Sequence, residues 1–121
     1  MTAPNIVSVG TITGKTAVAA NIATSPSAAT LTNGTGSDDV YKVNAILVSN
    51  IASTAADTTV SVFLRRSAAD YYIVNSIDVP QKSTLDVLNK PIYLEEGDAI
   101  WLQAGDINAL DALVSYEVIT E

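Results

Sequence analysis

The feature that most narrows the folds open to this chain is a period-two alternation of apolar and polar residues that recurs along it. From Asp57 to Arg66, the residues Thr58, Val60, Val62 and Leu64 alternate with Thr59, Ser61, Phe63 and Arg65. Successive side chains of an extended strand point to opposite faces, so this reads as a strand with one face in a core. The stretch from Asp111 to Ile119 repeats the pattern, with Ala112, Val114, Tyr116 and Val118 on one side and Ser115 and Glu117 on the other. Tyr71, Ile73, Ile77 and Val79 make a third apolar face, and Leu85 with Val87 a shorter one. The segment from Val40 to Ile51 differs. Val43, Leu47 and Ile51 fall on one side while Ile46 and Val48 supply apolar groups to the other. A strand apolar on both faces is expected to be central, or covered by a second sheet or a subunit. Ala17, Ala19 and Ala20 hint at a helical turn, but Thr16, Val18 and Ile22 favour strand.

Turn residues interrupt these runs at short intervals. They occur at Gly14-Lys15, Ser25 to Ser27, Asn33 to Gly36, Ala55 to Asp57, Ala68 to Asp70, Pro80 to Lys82, Asn89 to Pro91, Glu96 to Asp98 and Gly105-Asp106. Roughly eight or nine strands at that spacing predict an all-β domain, a β-sandwich or jelly roll of about eight antiparallel strands. The 121 residues fit one such domain, 1–121, with no linker or repeat. Residues 24–39, rich in Ser, Thr, Gly, Asn and Asp, read as a solvated connector, or as a hairpin with a weak strand over Ala28 to Leu31. Their functional reading is a binding or receptor-contacting loop.

Composition excludes most chemistry. The chain holds no Cys and no His. Disulfides, thiolates and Cys-ligated zinc are therefore impossible, and the commonest general base and metal ligand is missing. No enzyme activity, catalytic residue or cofactor is expected. Thirteen acidic against six basic residues give a net charge of −7, with the cations scattered. Nucleic-acid binding, which relies on clustered Lys and Arg, is not expected. No apolar run approaches the roughly 20 residues of a membrane helix. The opening Met1-Thr-Ala-Pro-Asn lacks the pattern of a signal peptide, so synthesis in the cytosol is expected. Charged residues amount to only 16%, against about a quarter in an ordinary soluble domain. That scarcity, with Phe63 on an otherwise polar strand face, predicts that part of the surface is covered in a homo-oligomer.

Several constellations invite a functional reading. Gly10 to Thr16 looks like a phosphate-binding loop, but three residues separate its glycines where the motif needs four. A β-turn between the first two strands is expected there instead. Asp38 and Asp39, and Glu95, Glu96 and Asp98 around Gly97, are oxygen-rich turns that could converge on calcium. Neither has the spacing of a dedicated loop, and no metal site is expected. Asn33-Gly34-Thr35 matches a glycosylation acceptor but reads better as a turn. Trp101 and Tyr93 flank the Gly97 turn and could stack on a sugar, although core or interface roles are commoner. Tyr71 and Tyr72, being adjacent on a strand, cannot both face the core.

The C-terminal third reads PIYLEEGDAIWLQA from Pro91 to Ala104 and LVSYEVI from Leu113 to Ile119. With the opening NIVSVGTITGKT from Asn5 to Thr16 and YKVNAILVSN from Tyr41 to Asn50, it resembles small virion proteins of tailed bacteriophages, especially marine phages and cyanophages. The resemblance implies a structural protein of the virion, made in the host cytoplasm. Its expected role is a capsid decoration (cement) protein that bridges subunits of the major capsid protein. A tail, neck or baseplate component is the alternative. Three-fold order, a homotrimer, is also implied by the resemblance. An alternative of another class is a carbohydrate- or receptor-binding β-sandwich module.

Overall fold

The computed structural model describes residues 10–53 and 56–121. Among them there is no helix, and the nine strands are β1 (Thr11–Ala19), β2 (Leu31–Thr32), β3 (Asp39–Asn50), β4 (Thr58–Arg66), β5 (Ala69–Val79), β6 (Thr84–Asp86), β7 (Ile92–Leu94), β8 (Ala99–Ala104) and β9 (Leu110–Thr120). They form two antiparallel sheets. Sheet A has the order β1-β9-β3-β6, with β7 also pairing β3, and sheet B the order β2-β8-β4-β5. The strands pair outermost with outermost: β1 with β9, β2 with β8, β3 with β6 and β7, β4 with β5. One long antiparallel ribbon, rolled so that β9 meets β3 and β8 meets β4, gives this jelly-roll connectivity.

β6 and β7 are one strand position divided in two. β6 runs along Leu47 to Ser49 and β7 along Tyr41 to Val43. Pro91, which has no amide hydrogen to give to a ladder, lies in the gap. The gap faces an irregularity in β3, where the register with β9 shifts between Val43 and Ala45. The extra residue, Asn44, moves the strand's alternation by one place. Val43, Ile46 and Val48 therefore all point into the core and are fully buried. This corrects the expectation that Val43, Leu47 and Ile51 share a face: Leu47 points out, and Ile51 lies beyond the strand, exposed. The central position expected for this segment holds, with β3 between β9 and the β6/β7 edge.

β4 and β9 keep the predicted faces. Val60, Val62, Ala112 and Val114 are buried between the sheets beside Ile100, Leu102 and Leu110. Burying each such aliphatic side chain contributes about 1.5–3 kcal/mol, a load borne by both sheets. In β5, two register shifts against β4 turn Ile73 and Val74 both towards the core. Two turn expectations move. Gly14-Lys15 makes no turn, because β1 runs straight through it in unbroken register with β9. The β4–β5 hairpin closes on Ser67 and Ala68, whose φ values of 51° and 64° define a two-residue loop with both residues left-handed. The weak strand expected over Ala28 to Leu31 is instead the two-residue β2. The turn expected from Ala55 to Asp57 lies partly outside the described residues.

Each sheet edge is blunted by its own means. β2, β6 and β7 are two or three residues long. β5 is broken by its register shifts, with Ser76 at φ 55°. β1 places Lys15 on the same alternation as Ala17 and Ala19, which touch the core, so a charge points inward at the rim.

Candidate functional site

The acidic turns that sequence spacing left apart are brought together. The loop at 33–39 and the turn between β7 and β8 dock through Asn33, which is fully buried. Its amide donates to the carbonyls of Asp39 (3.0 Å) and Leu94 (2.9 Å), and its Oδ1 accepts from Ser37 Oγ (2.6 Å). Its backbone bonds Asp98 O and Gly97 N in turn. Asp98 is only 1% exposed and pairs bidentately with Arg66, at 2.7 Å to Nε and 2.6 Å to Nη2. It also accepts the Glu95 amide at 2.8 Å. Glu95 shares Arg66 Nη2 at 2.9 Å, and Glu96 accepts from the amide of Gly36 at 3.0 Å. Asp39 accepts from Thr120 Oγ1. These carboxylates hold the fold together. Among the described residues no group of three or more acidic side chains is placed to hold a metal ion. The carboxylates around it hold the Arg66 guanidinium well above its ordinary pKa, first through the Asp98 hydrogen bonds.

The outer face of sheet B carries an aromatic row. Phe63, the partner of Trp101 on β8 and of Tyr72 on β5, lies between them. Its ring centroid is 6.2 Å from Trp101 and 5.0 Å from Tyr72. The Arg65 guanidinium sits 4.1 Å over the Trp101 ring and is clamped by Asp70 at 2.7 and 3.2 Å. Phe63 is therefore 4% exposed, and the expectation that it is an uncovered interface group is corrected. Trp101 Nε1 is buried with no hydrogen-bond partner among the described residues. Tyr71 and Tyr72 divide between the faces as adjacency requires, Tyr71 opposite Leu64 and Tyr72 opposite Phe63. Trp101 and Tyr93 do not form a joint platform. β7 and β8 belong to different sheets, so Tyr93 points out from sheet A and Trp101 from sheet B.

The outer face of sheet A is apolar where it is most open. Val18, Leu113 and Leu47 are direct cross-strand partners on β1, β9 and β3, with Val18 73% and Leu113 44% exposed. A second row, Ile12, Ile119 and Val40, crosses the same strands, with Ile12 exposed. Thr16, Ser115 and Ala45 lie next to the first row, small and uncharged. The Lys42–Glu117 pair, at 4.0 Å, is the one ion pair on this face among the described residues. The alternation read from the sequence groups Leu47 with Val43, which is buried, and so does not mark Leu47 for this face. Val18 and Leu113 do not stand out in the sequence, because on its own strand face each lies between small or polar residues, Thr16 and Ala20 for Val18 and Asp111 and Ser115 for Leu113, until the strands are laid side by side.

Searches against protein families, curated proteins and solved structures find no match to this chain.

Proposed function

We propose that this protein is a non-catalytic structural component of a phage virion, a capsid decoration protein that acts as a homotrimer bridging major capsid protein subunits. The virion assignment rests on the sequence resemblance. One structural observation supports an assembly role: the apolar row of exposed Val18 and Leu113 with half-buried Leu47 on a broad four-strand face. Apolar patches on rigid surfaces mark contacts with other proteins. With the sheet edges blunted, this face is the surface suited to bury against a partner or a second copy. A tail, neck or baseplate position would use the same face.

The experiment has two readouts. Light scattering at micromolar concentration gives a trimer mass for the native chain and a folded monomer for Leu113→Asp. Electron microscopy of particles shows density on the capsid for the native chain and none for the variant. A native monomer that leaves particles undecorated defeats the proposal. The second reading, a carbohydrate- or receptor-binding module, is favoured by a separate feature of sheet B.

A further inference from the structure

Beside the aromatic row on sheet B lies a cleft of about 150 Å³, lined by Thr59, Ser61, Tyr72, Asn75, Ser76 and Gln103, with Ala104 and Gly105 at its end. We infer that it is a binding site for one ring of a neutral carbohydrate, with Tyr72 as the stacking wall and Asn75 and Gln103 as the groups that read hydroxyls. The inference stands independently of the assembly proposal.

Register places the groups. Gln103 on β8 is the partner of Ser61 on β4, and Asn75 and Ser76 fill the register shift across from Ser61 on β5. The two amides therefore flank the floor of the cleft two strand spacings apart, roughly 9–10 Å between backbones. Asn75 reaches in towards Ser61 while Gln103 leans out to Thr24, so the floor between them is open to a ring. The next row along the strands is the aromatic one, so Tyr72 stands at the side of the cleft, leaning on Phe63 and still 51% exposed. Its ring offers an apolar surface to the C–H face of a sugar.

The amides are pre-set. Asn75 Oδ1 accepts from Ser61 Oγ (3.5 Å) and Ser76 Oγ (3.3 Å), and Ser61 Oγ accepts the Ser76 amide (2.9 Å). That leaves the Asn75 Nδ2 donors without a partner among the described residues. Gln103 Nε2 donates to Thr24 O at 2.9 Å, which leaves Oε1 as an open acceptor. Ser76 holds a left-handed backbone, φ 55°, at this position. Bulges of this kind re-aim side chains.

The lining selects the ligand class. Among the described residues no charged side chain borders the cleft, and the nearby Arg65 is committed to Asp70. An anion would find no free cation, and a metal ion no carboxylate. An apolar ligand would cut the Asn75 Nδ2 donors and Gln103 Oε1 off from water without giving them a hydrogen bond. A neutral polyol satisfies every group.

Saturation-transfer NMR with the methyl glycosides of glucose, galactose, mannose and N-acetylglucosamine at millimolar concentration tests this. Transfer is expected to at least one glycoside, and it is expected to vanish in Tyr72→Ala. Asn75→Ala, at an exposed position that keeps the Phe63–Tyr72 contact, should weaken binding about tenfold, the loss of one good hydrogen bond. Tyr93→Ala, on the opposite sheet, should bind as the native chain does. Absence of transfer to all of these glycosides from the folded native protein overturns the inference. So does transfer that survives Asn75→Ala and Tyr72→Ala together.

Discussion

Arg66 and Asp98 form a pair whose two halves stand in different solvents, and removing them one at a time should have unequal costs. The Asp98 side chain is 1% exposed and that of Arg66 47%. In Arg66→Ala the buried carboxylate keeps only the Glu95 amide at 2.8 Å. Leaving a buried charge uncompensated costs about 3–5 kcal/mol. The surviving amide bond puts this case near the low end, at about 3 kcal/mol. In Asp98→Ala the half-exposed guanidinium keeps Glu95 and regains water, so its loss is screened. What remains is the orphaned Glu95 amide and the two guanidinium bonds that water in part replaces, about 1–2 kcal/mol. The gap of about 1–2 kcal/mol corresponds to a melting-temperature difference of roughly 4–8 °C for a domain of this size. Removing both partners should be milder than removing Arg66 alone, because no buried charge is left behind. Urea unfolding at neutral pH, followed by Trp101 fluorescence and far-UV circular dichroism, measures all three variants. If Asp98→Ala costs more than Arg66→Ala, the carboxylate acts chiefly as an acceptor for the turn backbone. The charge-pair reasoning is then wrong.

Asn33→Asp should destabilise by about 2–4 kcal/mol, since it replaces an amide donor to the Asp39 and Leu94 carbonyls with a buried acceptor; chemical denaturation shows it, and native-like stability would mean that water enters freely there. Replacing Ser67-Ala68 by Asn-Gly should stabilise the β4–β5 hairpin by about 0.5–1 kcal/mol, because both positions are left-handed and those residues accept that conformation. A melting temperature that fails to rise refutes the assigned turn. Burial, then Tyr116 and Asp39, push the Tyr41 hydroxyl above its ordinary pKa of 10.0. The folded value is raised, so Tyr41's stabilising contribution is complete below pH 10.0 and is lost as pH climbs through the folded value. Tyr41→Phe should flatten that alkaline decline in a pH series of melts, and an unchanged slope would remove Tyr41 as its source.

The faces of β4 and β9 were legible in the sequence because strand alternation is a local property. Each residue's side follows from its neighbour's, and no distant contact is needed to place Val60 or Val114. The all-β class followed from the same periodicity with the spacing of turns. Where alternation broke, local reading broke with it. Asn44 shifts β3 by one residue, and the reason lies across the sheet, in the β9 register and the gap between β6 and β7. Gly14-Lys15 looks like a turn by residue type, yet nine consecutive pairings with β9 hold it extended. Pairing energy summed over a strand outweighs the preference of two residues.

The candidate surfaces were less legible for a related reason. Asn33 and Leu94 are 61 positions apart, so nothing near Asn33 marks it as the residue that binds two loops. Gln103, Ser61 and Asn75 become one row only when three strands are placed in register. Tyr93 and Trp101 sit on either side of one short turn, but that turn carries the chain from one sheet to the other, so they face opposite ways. Sequence by itself determined that this chain makes sheets and which residues of a regular strand enter the core, since both follow from backbone geometry and burial of apolar groups. Only the tertiary structure decided which side chains meet on the outside, because a surface is assembled from strands that are distant in the chain.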